Sequence, residues 1–363
     1  MEFNYSHTIT LYAVKKFRQE RTISAVYHLL KGKKSSQTIQ DAFIFQLSPL
    51  FGLYPSITRG EFDQILRSLC NLNLIIQKNE QQYGITDKGE SYLEKLFSEK
   101  PLPKELNGWK YNEISQIFWE RLSQFVQTVS HLSHHSSSYI PLSQEYLILK
   151  FVKNYILSIP LSREELVKKT YNELKDLLQK LGEKKATIFL LKLSSYNRTG
   201  LTKHQLGEIL KDDKYYIEVL FISTVHFILF EIIGNPKAYS ILFGLIKDIL
   251  KNHTLTTSSH VTLRYIQNGF NIDEIASVRK LKVSTIQDHI VEITLNVPSF
   301  DISPYIKAED IKVILSKIKE LKTSKLKAIK EALNNEYSYF QIRLAIAVER
   351  RNHHYQNRSA VEK

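Results

Sequence analysis

Between Thr262 and Leu295 the chain reads TLRYIQNGFNIDEIASVRKLKVSTIQDHIVEITL, and this stretch constrains the fold more than any other. Two short apolar periodicities are separated by a tight turn, the pattern of a helix-turn-helix of the kind that docks on DNA. Asn271 caps a first helix that sets Ile272, Ile275 and Ala276 on one face, and the small Ala276 lets a second helix cross closely. Ser284 starts that second helix. In it Ile286, Ile290 and Ile293 recur at helical spacing and face inward, while Leu281 and Val283 fill the turn. The opposite face carries Thr285, Gln287, Asp288, His289 and Glu292, and Arg279, Lys280 and Lys282 crowd the turn before it. These three cations suit backbone phosphates, and the first-turn N–H groups of the second helix point the same way. Thr285 and Gln287 are ordinary base readers, whereas Asp288 and Glu292 repel phosphate if the helix sits deep in a major groove. Three uses stay open: contact with DNA backbone or junctions, which the cations favour; site-specific reading; and docking on protein.

The run GFNIDEIASVRKLKVSTIQDHI, followed by Phe300, Asp301, Ile302, Ile306, Glu309 and the later SYFQIRLAIA, resembles the helicase-associated helix-turn-helix domain found in some RecQ-type helicases and in the bacterial YpbB family. The front of the chain agrees: AVYHLLKGKKSSQTIQDAFIFQL, from Ala25 to Leu47, is similar to the opening segment of YpbB proteins. The resemblance implies a Gram-positive bacterial cytoplasmic protein that works with a separate RecQ-like helicase in DNA repair or recombination. It implies no catalytic residue.

Charge points the same way on its own terms. The 363 residues carry a formal net charge of +13, which favours a polyanionic partner over an acidic small molecule. From Lys251 onward there are eighteen Lys and Arg against twelve Asp and Glu, so about half of the excess lies in the last third. Cys70 is the only cysteine, which excludes an intrachain disulfide or a Cys-based zinc site and fits a reducing compartment. The opening MEFNYSHTITLYAVKKFRQERT mixes polar and charged residues into its apolar stretch and lacks a small-residue cleavage site, so the protein is expected in the cytoplasm. The most apolar segment, Ile217 to Ile233, is interrupted by Glu218, Ser223, Thr224, His226 and Glu231 and reads as a buried helix, not a membrane span.

The expected fold is mainly α, with an N-terminal winged helix holding a small β-hairpin, a helical middle domain and a C-terminal helix-turn-helix bundle. In residues 1–100, Thr58 and Glu61 form a capping box. The helix after it sets Phe62, Ile65, Leu66, Leu69 and Leu72 inward. Leu74 to Gln77 pairs with Gln82 to Ile85, and Thr86 opens the closing helix. Lys31, Lys33 and Lys34 form a basic turn beside Gly32. KPLPK at 100–104 ends this region, and helices dominate residues 105–250, with a flexible loop at 133–138 and a third helix-turn-helix fragment, TGLTKHQLGEIL, capped by Thr202. There Lys203 and His204 are expected on the outside. His131, His134 and His135 lack a neighbouring acid or cysteine to complete a metal site. A Thr/Ser-rich hinge, Asn252 to Ser259, leads into the helix-turn-helix domain, residues 254–350, and 351–363 reads as a disordered tail.

After Pro304, Ile311, Ile314, Leu315, Ile318 and Leu321 make one apolar stripe, with Lys312, Lys317, Lys319 and Lys322 elsewhere on that helix. Leu326, Ile329 and Leu333 turn inward on the next, leaving Lys325, Lys327 and Lys330 outside. On the last, capped by Ser338, Gln341, Arg343, Arg350 and Arg351 are left for outside contact. The candidate nucleic-acid contacts are therefore Arg279, Lys280, Lys282, Ser284, Thr285, Gln287, His289, Lys325, Lys327 and Arg343. No GxxxxGK[ST] loop, G-x-S-x-G elbow or HExxH occurs, and the glycines are scattered, so neither enzymatic activity nor a cofactor is expected. Two readings remain in front. One is a DNA-binding accessory protein serving a RecQ-like helicase; the other is an adaptor docking on that helicase, with a transcriptional regulator third.

Overall fold

The computed structural model describes residues 3–136, 138–250, 255–321 and 323–359, with side chains described as far as Asn352. The chain is mainly helical with one two-stranded hairpin. It opens with α1 (Tyr5–Phe17), α2 (Ile23–Lys31), α3 (Ser36–Ile44) and α4 (Arg59–Asn71), then β1 (Ile75–Asn79) and β2 (Gln82–Ile85). Next come α5 (Asp87–Glu99), α6 (Gly108–Ser133), α7 (Tyr146–Ser158), α8 (Arg163–Gln179), α9 (Glu183–Lys192) and α10 (Lys203–Leu210). The long α11 (Lys214–Gly234) and short α12 (Ser240–Gly244) follow. The last part holds α13 (Thr257–Gln267), α14 (Ile272–Arg279), α15 (Val283–Asn296), α16 (Ala308–Leu321), α17 (Leu326–Ala332) and α18 (Tyr339–Ser359).

Two compact units share these elements. One is Met1–Leu11, Asp63–Leu74 and Asp87–His253; the other is Tyr12–Phe62, Ile75–Thr86 and Thr254–Lys363. Residues 105–250 thus fall in the first unit and 254–350 in the second, while 1–100 is divided between both.

The local chemistry of α4 and the hairpin follows the sequence pattern with small shifts. Thr58 and Glu61 close the capping box, with the Thr58 amide donating to Glu61 Oε2 at 2.8 Å and the Glu61 amide donating to Thr58 Oγ1 at 3.2 Å. Phe62, Ile65, Leu66 and Leu69 are buried, but Leu72 is 41% exposed, because α4 ends at Asn71 and the stripe runs past it. The strands pair Ile75 with Ile85 and Gln77 with Tyr83, and a bulge then sets Asn79 against Gln82. The turn is shorter than the four residues expected, since Lys78 and Asn79 belong to the first strand.

In the first unit α11 lies against α6, α9, α10 and α12. It is long and apolar enough to cross a membrane by length and composition alone, yet 61% of that window is buried inside the protein. Trp119 on α6 meets Phe221 on α11 and Phe189 on α9, with ring centroids 4.7 and 5.4 Å apart. Glu173 on α8 accepts the amides of Ile241 and Leu242 at 3.1 and 3.0 Å, so a buried carboxylate closes the N-terminus of α12. Among the described residues, the only strand-like feature between Ile114 and Leu250 is an isolated bridge from Ser195 to Arg198. Residue 137, in the expected loop, lies outside the described residues.

In the second unit α15 is the central helix, lying against α3, α13, α14 and α18. Ile286, Ile290 and Ile293 are fully buried, as are Ile342, Leu344 and Ala345 on α18. Phe43 and Ile44 of α3 meet Val291 and Leu295 of α15 and Ile346 and Ala347 of α18 around one apolar contact. Where a Thr/Ser hinge was expected, Thr256 is the N-cap of α13, its hydroxyl accepting from the Ser259 amide at 3.3 Å. The rest of that hinge, residues 252–254, lies outside the described residues. The C-terminal helix runs beyond Arg351 to Ser359, into the segment read as a tail, and residues 360–363 lie outside the described part.

Candidate nucleic-acid interface

The turn into α14 needs residues that tolerate a sharp reversal. Gly269, with φ +86°, takes the left-handed conformation after Asn268 ends α13, and its lack of a Cβ makes that inexpensive. Asn271 then caps α14, accepting from the amides of Asp273 and Glu274 at 3.0 Å each, while its own amide donates to Glu274 Oε2 at 2.8 Å. Ile275 and Ala276 are buried, and Ile272 is half-buried. Lys280 ends α14 in the left-handed region at φ 52°, and the Leu281 amide returns to Ala276 O at 2.9 Å. The chain therefore doubles back within two residues, and α15 begins.

That helix starts one residue earlier than expected. Lys282, not Ser284, occupies the N-cap, and no side chain caps it. The open N-terminus of α15 is consequently flanked by exposed Lys280, Lys282 and Ser284, with Thr285 and Gln287 half-buried beyond them. Val283, expected inside the turn, is 40% exposed, and Leu281 is half-buried.

Other expected contact residues are engaged within the fold. His289 is 6% exposed, and its Nδ1 lies 2.8 Å from Thr262 Oγ1. Arg279 donates to Ser258 O and Ser258 Oγ, each at 2.9 Å, and to Thr262 Oγ1. It also comes within 3.4 Å of His289 Nδ1. A guanidinium can only donate, so the Nδ1 that faces both Arg279 and the Thr262 hydroxyl acts as an acceptor, and the proton of the neutral ring sits on Nε2. Burial, followed by the adjacent Arg279 charge, lowers the His289 pKa to about 4, and the imidazole is neutral at pH 7. Burial likewise lowers the pKa of Arg279.

Glu292 was also expected on the outward face. It is 5% exposed and accepts from the Thr256 amide at 2.5 Å, Thr256 Oγ1 at 3.0 Å and Ser259 Oγ at 2.7 Å. Burial raises its pKa, and these hydrogen bonds pull it partly back. Asp288 is paired with Arg343 of α18, so neither member of that pair projects freely. The two acids that argued against phosphate are thus answered inside the protein, one by a hydroxyl cluster and one by a guanidinium. The unforeseen residues are Thr256, Ser258, Ser259 and Thr262. Their signal was present as a polar i, i+3 series at Thr256, Ser259 and Thr262, masked by its likeness to a linker.

The basic helices contribute separately. Lys325 is the N-cap residue of α17 and is exposed, and exposed Lys327 lies 3.9 Å from Glu331. α17 rests on α16 and α18. Lys322 lies outside the described residues. On α18 Gln341 is taken by the Ser338 capping box, its Oε1 accepting from the Ser338 amide at 2.9 Å, and Arg351 donates to the carbonyls of Val297 and Phe300 at 3.4 and 3.3 Å. Both were expected outside. In the first unit, Lys203 is half-buried and His204 exposed. His131 stacks on Tyr139 and His134 on Tyr196, each with centroids 4.3 Å apart. Among the described residues, no group of three His, Cys, Asp or Glu side chains could hold a metal ion.

The capped α14, the left-handed Lys280 and the crossing α15 define a helix-turn-helix protein, and residues 258–346 match the helix-turn-helix domain family. The chain is 38% identical over 347 residues to Protein YpbB of Bacillus subtilis (strain 168), covering 95% of this chain and 98% of that protein. It belongs to the YpbB family. No solved structure matches the chain.

Proposed function

We propose that this is a non-enzymatic DNA-binding accessory protein that serves a RecQ-like helicase in DNA repair or recombination, in the cytoplasm. The observation that carries the DNA-binding part is the start of α15, an uncapped helix N-terminus flanked by Lys280, Lys282 and Ser284, all exposed. Unused N–H groups, the positive end of the helix dipole and two ammonium groups converge there, which suits a backbone phosphate. Base reading from α15 is poorly supported: His289 is inside, and Thr285 and Gln287 are half-buried. The reading is therefore of backbone or junction binding, with the net charge of +13 adding long-range attraction.

The adaptor reading keeps one specific support. Val278 and Val283, beside the same turn, are 53% and 40% exposed, and Phe270, in the turn before α14, is 38% exposed; apolar side chains suit a protein surface better than phosphates. A titration of the purified chain against duplex, forked and single-stranded DNA separates the two. DNA binding predicts that log K falls steeply with log salt, and that Lys280→Glu with Lys282→Glu weakens binding and lowers the slope by about 2. Adaptor action predicts negligible DNA affinity at low salt, with retention of the purified RecQ-like helicase that the same two changes leave intact.

A further inference from the structure

The lysine-flanked start of α15 suits a phosphate and offers no reader of sequence. A second helix has the chemistry that α15 lacks. On α4 the buried residues Phe62, Ile65, Leu66 and Leu69 fix one face, and Gln64, Arg67, Ser68 and Asn71 recur at i, i+3, i+4 and i+7 on the other. Gln64, Arg67 and Asn71 are exposed and Ser68 is half-buried. Among the described residues none of these four side chains has a hydrogen-bond partner, in contrast to Arg279, His289, Gln341 and Arg343. Together with Phe3 and Leu72 they line an open concavity of about 800 Å³.

We infer that the outward face of α4 is a base-reading surface for the major groove of duplex DNA, with Gln64, Arg67 and Asn71 as the readers. This rests on the DNA-binding reading above and adds to it the part that selects sequence. The residue types fit one by one. Arg67 matches the paired acceptors of guanine, Gln64 and Asn71 match the donor and acceptor edge of adenine, and the exposed Leu72 offers an apolar contact for a thymine methyl group. Among the described residues no carboxylate lines the concavity, so flanking phosphates meet no opposing charge from them. Lys88 donates to Leu72 O at 2.8 Å, which fixes the end of α4 and sets a cation beside it. Thirteen residues give a helix of about 20 Å, a length that lies along a groove roughly 12 Å wide. The concavity is open to solvent and would leave a small molecule mostly in water, which argues against a metabolite site.

The test uses the full chain in random-site selection on duplex DNA, followed by titration of the enriched duplex, a scrambled duplex and the matching RNA. Compared proteins are the wild type, the triple variant Gln64→Ala, Arg67→Ala, Asn71→Ala, and the single variant Arg67→Lys. All three positions face away from the core, and circular dichroism checks the fold. The expected result is an enriched motif for the wild type and a loss of about 10-fold or more in affinity for it in the triple variant, with scrambled-duplex affinity within about 2-fold. Arg67→Lys should keep the scrambled-duplex affinity and lose the guanine preference, since an ammonium cannot make the bidentate contact. No enriched motif, an unchanged motif in the triple variant, or preference for the RNA overturns the inference while leaving DNA binding through Lys280 and Lys282 standing. A wild type that binds none of the nucleic acids overturns the proposed function and this inference with it.

Discussion

His289 shows how a residue suited to a ligand becomes part of a core. Its Nδ1 accepts from Thr262, Thr262 accepts from Arg279, and Arg279 also holds Ser258, so three side chains from three helices fix the crossing of α13, α14 and α15. The folded pKa, about 4, lies below the ordinary 6.5, so as pH falls the unfolded chain takes up this proton first. The contribution is complete above pH 6.5 and is lost as pH falls toward 4, up to about 3 kcal/mol. His226, lowered to about 3 by burial, acts in the same direction. His289→Asn should therefore flatten only part of the acid-unfolding curve between pH 6.5 and 4, and a curve as steep as the wild type's would show that His289 is not held neutral. Arg279 separates structure from binding. Arg279→Ala should reduce stability to urea by about 2 kcal/mol, whereas Lys282→Ala should stay within about 0.5 kcal/mol. Equal, small effects would mean that Arg279 does not anchor the crossing.

Two helix-turn-helix segments in this chain have the same local grammar and opposite endings. Thr202 and Gln205 close a capping box on α10 as Asn271 and Glu274 do on α14, and each helix ends on a left-handed lysine, Lys211 and Lys280. The next helix differs. Asp213 caps α11, accepting from the Tyr215 amide at 2.7 Å, and also takes the Tyr5 amide at 2.6 Å, so that N-terminus is closed by a carboxylate. The N-terminus of α15 has Lys282 and no side-chain cap. Retaining lysine at φ 52°, where glycine is easier, is consistent with a use for its charge. Lys280→Gly should then raise stability by up to about 1 kcal/mol while weakening DNA binding, and a variant that gains stability with unchanged affinity would remove Lys280 from the interface. Asn271→Ala should cost about 1 kcal/mol with little change in affinity once folded protein is compared. These caps were legible because each depends on residues three apart. The interior positions of Glu292 and His289 were not, because helical periodicity assigns residues to faces without saying how many faces are covered. α15 has neighbours on several sides, and its polar residues are tolerated inside only because Thr256, Ser259 and Thr262 come from α13 to meet them.

The winged-helix order of helix, hairpin and helix and the C-terminal helix-turn-helix could both be read in the sequence, since their signals lie within a few dozen residues. What joins them could not. α3, from Ser36–Ile44, lies with α15 and α18 in one compact unit, although some 240 residues of chain intervene. Its apolar residues Ala42, Phe43 and Ile44 scan as an ordinary core stripe, and nothing in such a stripe names its partner. The helix-turn-helix is therefore not expected to be self-sufficient. A fragment holding only Thr254–Lys363 leaves Val291, Leu295, Ile346 and Ala347 without Phe43 and Ile44 to cover them. Exposing that apolar surface lowers stability and leaves the local caps intact, so the fragment should remain helical by circular dichroism while α15 loses protection. Hydrogen exchange of the α15 amides, compared between fragment and full chain at the same pH, should be at least 10-fold faster in the fragment. If α15 is equally protected in both, α3 contributes nothing to holding the helix-turn-helix, and the N-terminal segment must be retained for some other reason.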